Sequence, residues 1–494
     1  MNKRHSVPFA LFLALTLTTT SLSCGGGTEL PEDGSTQDIT ETTAAVIEEY
    51  PYYEGNDLGG KTIKVLNIAK TQYDMICCIQ PDEILGETVN DAIFNRNAYV
   101  KNKLNFELEE ENEPTLYEMG SRLEKIVMSD DDEYSVVYMP SYLTTSGLSN
   151  GYYTCLDELE NLHLDEKWWD QLVLCDTSLF GKHYLASSAA HLMGYDGLWC
   201  MYFNESMMDD LGLEYPYELV REGKWTLDRL SEYCAAAANL NGDESFSKTN
   251  RNCVFGMSSF YNSVMKFVFG MGGNYIGKDK DDAPVFEADS RHFMEVCEKL
   301  AGFFSRDGEY CAADDDRTPE SAYTTLFREQ RAFFLGGEVK NAQGFRDLDW
   351  QFGVVPFPKY DETQETYRST PLHQCAVFTI PVSSKNNEEA ALVFDALSYE
   401  SDAKVLDLYF GVMVEQKGLR NQDSIDMLNI IKECRSFDIG ISLWLADNLR
   451  SAVEAKLAAG STDIASVIAE KRQAVEANIE KLPEILSNCN KSAG

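Results

Sequence analysis

Residues 88–109 read TVNDAIFNRNAYVKNKLNFELE. Val89, Ala92, Ile93, Val100 and Leu104 recur at helical spacing and mark one face of a helix over 88–104. The period then changes. Phe106 and Leu108 alternate with Glu107 and Glu109, the two-residue repeat of a strand. Upstream, TIKVLNI at 62–68 is alternating and β-branched, a second strand. Strand, helix, strand in that order predicts a parallel βαβ unit with a right-handed crossover. Downstream, a helix over 115–128 leads into the strand YSVVYM at 134–139, so the class is α/β.

Farther out the pattern continues. Trp225, Thr226 and Leu230 mark a helix over 225–238, with Thr226 as the cap and Trp225 stapled to Leu230. That is a packing role for Trp225. Strands are expected at FGVVPFP (352–358) and AVFTIP (376–381), and helices at 385–399, 443–458 and 462–481. With 494 residues the chain exceeds what one core accommodates, about 250–300 residues, so two lobes or more are expected.

The net charge is −39. A surface so acidic repels phosphate backbones and anionic lipid heads, which argues against a nucleic-acid partner. Thirteen cysteines are too sparse for a disulfide scaffold and none stand in zinc-type pairs; most are expected as buried apolar side chains. No cofactor and no metal is expected. The acidic turns NLNGD (239–243) and DKDD (279–282) lack the closing glutamate of a calcium loop.

The N-terminus reads as an address. Lys3, Arg4 and His5 precede the apolar run VPFALFLALTL (7–17), and small residues lead to Cys24. That is the layout of a secretory signal over 1–23, too short for a membrane span. Leu22, Ser23 and Cys24 resemble the lipobox of bacterial lipoproteins, in which the cysteine becomes the lipidated N-terminus. Residues 24–50 carry seven acids and neither Lys nor Arg, and read as a disordered tether. The expectation is an exported protein, lipid-anchored through Cys24 to the outer face of the cell membrane.

Several stretches resemble, in order and spacing, the family 1 extracellular solute-binding proteins of ABC importers, the maltose-binding-protein-like group. They are TVNDAIFNRN at 88–97, LHLDEKWWD at 162–170 with FGKHYL at 180–185, DGLWCMYFN at 196–204, YPYELVREGKWTLDRL at 215–230, and FREQRAFFLGG at 327–337 followed by FGVVPFP. The resemblance implies a two-lobed, type II periplasmic-binding-protein-like fold. Its discontinuous lobes are joined by a three-crossing hinge, placed near 190–197, 372–378 and 432–440. It divides the chain into a first lobe over 51–195, a second over 196–373, a return to the first over 374–435 and a return to the second over 436–494. It also implies a monomer that captures a carbohydrate between its lobes and hands it to membrane permease subunits, with no covalent chemistry of its own. The alternatives are a surface glycan-binding lipoprotein without a permease, and a secreted hydrolase.

Sugar recognition needs aromatic faces and fixed polar groups. Tyr73 follows the first strand and Tyr142 the strand 134–139, both at carboxyl ends where α/β sheets hold ligands. The resemblance adds Asp196 at the first crossing and Trp444 on a late helix, with Tyr261 as a further candidate. It also places Glu338 where the family stacks a tryptophan, so polar contact replaces an aromatic platform there. The hydrolase alternative rests on GLSNG (147–151), which fits G-x-S-x-G but places Ser149 in a loop well past the strand.

Overall fold

The computed structural model describes residues 49–489, apart from 71–73, 239, 241, 243–244, 262, 415–418, 420–421 and 443–445. The predicted βαβ unit forms. Strand β1 (Lys61–Ile68) runs parallel to β2 (Phe106–Glu113), Lys61 opposite Phe106 and Ile68 opposite Glu113, with helix Thr88–Leu104 as the crossover. Strand β3 (Val136–Pro140) lies parallel to the other side of β1.

The second sheet comprises β4 (Trp199–Asn204), β5 (Phe255–Phe260), β8 (Tyr310–Ala313), β9 (Ala332–Glu338) and β10 (Phe352–Val355), in the order β10-β4-β9-β5-β8. A small hairpin of β6 (Ile276–Lys278) and β7 (Pro284–Phe286) lies between β5 and β8 in the chain. The chain then returns to the first sheet as β11 (Ala376–Thr379), antiparallel to β3, which completes the order β11-β3-β1-β2. Strands β4 and β9 are buried at every position. Both faces of this sheet are covered, so these strands carry continuous apolar runs instead of alternation.

Local rules account for one helix of the second lobe. Helix Leu227–Ala237 begins at Thr226, whose hydroxyl accepts the Arg229 N–H. Trp225 and Leu230 are fully buried, and the Trp225 indole donates to the Pro356 carbonyl at 2.9 Å.

Passages between the sheets are laced to one another. Leu198 bridges Pro371, and Ser369 bridges Arg435. The Leu372 N–H donates to the Gly197 carbonyl, and the Ser436 N–H to that of Ser369. Within 374–435, helices Asn387–Lys404 and Leu406–Val414 pack on helix Thr88–Leu104 of the first lobe, whereas helix Gln422–Glu433 packs on β10 of the second. The last helix, Ile464–Cys489, continues beyond 481 through Pro483 and reaches across to helix Thr144–Asn150.

Ser149 lies exposed in helix Thr144–Asn150, not in a loop. Both glycines of GLSNG have structural explanations, one of packing and one of backbone conformation. A side chain at Gly147 would overlap the Tyr153 ring, and Gly151 ends the helix at φ +69° in the left-handed region. The turn at 279–282 is internally satisfied: Asp279 accepts the N–H groups of Asp281 and Ala283, and Asp282 pairs with Lys278. Among the described residues, no group of three side chains is placed to hold a metal ion. Eleven cysteines are described, none of them bonded to another, and eight are buried, which matches their reading as small apolar side chains.

Candidate functional site

Strand β3 ends at Pro140, and the turn Ser141–Leu143 clasps the passage that leads back into β11. The Ser141 hydroxyl donates to the His373 carbonyl at 2.8 Å, the Tyr142 N–H to the same oxygen at 3.2 Å, and the Ser141 N–H to the Cys375 carbonyl at 3.0 Å. From the second lobe, helix Val264–Gly270, buried at all seven positions, brings Lys266 and Phe269 against this passage. Thr370, Pro371, Leu372, Phe437 and Ile441 close the crevice between them. Its free volume is about 10 Å³, room for one water-sized group.

The electrostatics of the crevice centre on Lys266, which is 2% exposed. Its Nζ donates to the Pro371 carbonyl at 2.8 Å and lies 5.7 Å from the centre of the Trp199 ring. Burial lowers its pKa to about 7, against the opposing pull of Cys375, Glu338 and Glu454. Burial, and then the charges of Lys266 and Arg450, hold the His373 imidazole well below its usual range, so it is neutral at pH 7. Arg450 pairs with Glu454 at 2.7 Å, both buried.

Of the candidates read from sequence, Tyr142 lies next to this crevice, behind His373. It is 8% exposed, with its ring edge-on to His373 at 5.4 Å. Glu338 ends β9, buried, and its carboxylate accepts the Tyr323 hydroxyl at 2.8 Å while its N–H donates to the Asn341 side-chain oxygen. The Tyr323 ring continues to Phe260 and on to Tyr261, which is half exposed. Arg317 is within electrostatic reach of both Tyr261 in the second lobe and exposed Tyr117 in the first.

Asp196 sits at the first passage, 1% exposed. Its carboxylate accepts the Ile76 N–H and the Tyr409 hydroxyl, each at 2.9 Å, and its carbonyl accepts the Lys340 N–H. It therefore ties the loop after β1 to helix Leu406–Val414 and to the end of β9. Burial raises its carboxyl pKa. Tyr73, Trp444 and Cys24 lie outside the described residues.

Lys266, His373 and Tyr323 were not singled out from sequence. The available signal was a lone cation in the apolar run VMKFVFG (264–270), whose burial the neighbouring residues imply. A larger cavity of about 630 Å³ lies between helix Gln171–Thr177, residues 274–278 and the passages 366–368 and 433–439. None of the described sequence-predicted residues lines it.

Two α/β sheets, laced passages and a crevice walled from both sides define a two-lobed binding-protein fold of type II. No protein-family model matches the sequence, and a search of the curated proteins finds no match. Solved structures do match. UgpB from Mycobacterium tuberculosis in complex with glycerophosphocholine aligns at 12% identity over 86% of this chain and 99% of its own, with a TM-score of 0.55. An open conformation of a sugar transporter protein from Rhizobium etli aligns at 13% over 86% and 99%, with a TM-score of 0.54. The maltose-binding periplasmic protein MalE of Listeria monocytogenes, in complex with maltose, aligns at 12% over 85% and 98%, with a TM-score of 0.53. The resemblance read from the sequence thus holds at the level of the fold. No helix among the described residues is long and apolar enough to cross a membrane.

Proposed function

We propose that this chain is the solute-binding lipoprotein of an ABC importer. It captures a carbohydrate between its lobes and delivers it to a membrane permease, as a monomer and without covalent chemistry. The observation that carries this reading is the crevice itself. Its walls come from Ser141 of one lobe and from Lys266 and Phe269 of the other, the connecting passage of 370–373 forms its floor, and Tyr142 stands behind His373. A site split between lobes joined by laced strands is built for hinge closure around a ligand. The maltose in the matching MalE structure favours a carbohydrate, and the glycerophosphocholine in UgpB is the exception. Tyr142, Tyr261 and Glu338, with Tyr73 and Trp444, are the proposed ligand contacts, and Asp196 a hinge residue beside them. The lobe division at 195 and 373 belongs to the same proposal, with the last boundary moved ahead of helix Gln422–Glu433, which packs on β10. The G-x-S-x-G stretch supports no hydrolase, since Ser149 lies on a helix surface, Gly147 makes room for the Tyr153 ring and Gly151 ends the helix.

A sugar held at 100 times its dissociation constant should stabilise the protein by about 2.7 kcal/mol. A thermal-shift screen of mono- and oligosaccharides reads this directly, with scattering to detect compaction. Recovery of a stabilising sugar in chemically altered form would refute pure binding.

The anchor is a separate element of the proposal, resting on the signal layout and Cys24. Cys24→Ser should release the protein from the membrane fraction into the soluble fraction or the medium. Unchanged retention, with no lipid mass on the N-terminal peptide, rules the anchor out.

A further inference from the structure

Lys266 is a buried amine with no carboxylate within ion-pairing distance among the described residues; its described partner is the Pro371 carbonyl at 2.8 Å. The nearby carboxylates are engaged elsewhere, Glu338 by the Tyr323 hydroxyl and Glu454 by Arg450. His373 adds a neutral ring, while the Ser141 and Thr370 hydroxyls donate to the His373 and Pro371 carbonyls. An ammonium taken out of water without a counter-charge is expensive to keep. The lining of this crevice therefore has an amine that burial partly discharges and no carboxylate in contact to hold its proton.

We propose that the solute is an acidic carbohydrate, whose anionic oxygen group, a uronate carboxylate or a phosphate, lodges in the crevice against Lys266 Nζ. This rests on the solute-binding reading above and specifies its substrate class. The crevice, at about 10 Å³, is too narrow for a sugar ring and suits a terminal oxygen. A neutral hydroxyl bonds an ammonium without cancelling its charge. An anionic oxygen cancels the charge and forms the shorter, stronger charge-assisted bond. The protein's net charge of −39 repels anions in general, so favourable capture of an acidic sugar needs a cation inside the cleft, and Lys266 is placed there.

The test is calorimetric titration of the full chain with matched pairs: galacturonate against galactose, glucuronate against glucose, and glucose 6-phosphate against glucose, followed by the corresponding disaccharides. The expected result is at least 100-fold tighter binding of the acidic member in one pair, and that pair identifies carboxylate or phosphate as the group. Lys266→Met should then weaken the acidic ligand at least 30-fold and change its neutral counterpart less than 3-fold. Equal or tighter binding of the neutral members overturns the proposal and leaves the carbohydrate reading intact. Binding of neither member, in any pair, overturns both. A Lys266→Met protein that keeps the acidic preference also overturns it. If that variant does not fold, the ratio measured on the wild-type protein decides alone.

Discussion

The Asp395→Ala protein is expected to lose about 4 kcal/mol of folding stability, read as a lower midpoint in urea. Asp395 is completely buried in helix Asn387–Lys404. Its carboxylate accepts the Trp169 indole N–H at 2.6 Å, the Tyr50 hydroxyl at 2.8 Å, the His163 backbone N–H at 3.0 Å and the Trp168 indole N–H at 3.1 Å. The His163 ring lies against it at 2.9 Å. Each buried donor left without an acceptor costs about 1–3 kcal/mol, and several would be stranded together, partly relieved by water entering the space. Asp395→Asn keeps an acceptor oxygen and should cost roughly half as much. Because the cluster lies within the first lobe, away from the crevice, sugar affinity of the folded fraction should not change. A loss below about 1 kcal/mol for the alanine variant would mean that the four donors find other partners.

This cluster also explains the sequence stretch LHLDEKWWD. Both indoles of the paired tryptophans are committed to one carboxylate more than two hundred residues away. No local period encodes such a pairing. What was legible was local. The β1–helix–β2 unit declared itself because the strand faces differ in burial, so alternation survives in the text; Phe106 and Leu108 are buried between exposed glutamates. In β9, Ala332–Glu338, every residue is buried, so no alternation exists to be read. Thr226 was legible as a cap because capping is a matter of a few adjacent residues.

The site was legible in part for the same reason. Tyr142 could be placed by its position after a recognisable strand. Lys266 could not, since its significance comes from Pro371, Trp199 and His373 converging on it from distant positions. Asp196 was picked as a candidate ligand contact at the first passage; its carboxylate is occupied by Ile76 and Tyr409, a linkage that only the folded chain reveals.

The passages between the lobes carry the second large effect. Asp170 accepts the N–H groups of Leu172 and Val173 as the cap of helix Gln171–Thr177. Its other oxygen accepts Arg435 Nε at 2.9 Å and Nη2 at 2.7 Å. Both residues are buried, and the Arg435 guanidinium lies 4.2 Å from the centre of the Tyr195 ring. Arg435 in turn belongs to the passage that bridges Ser369. Asp170→Ala removes a cap, about 1 kcal/mol, and leaves a buried guanidinium unpaired, about 3–5 kcal/mol. We expect a combined loss near 5 kcal/mol in chemical denaturation. Removing the stranded charge as well should restore most of it, because a buried ion pair contributes little net stability relative to apolar residues of similar volume. The Asp170→Ala/Arg435→Met double variant is therefore expected to be more stable than Asp170→Ala alone, with a coupling of about 3 kcal/mol in the double-mutant cycle. A coupling near zero would make the pair a bystander. The expected coupling, by contrast, makes Asp170 and Arg435 a joint that fixes the passage 434–436 to the first lobe, and the double variant should then also show altered ligand-induced compaction by scattering.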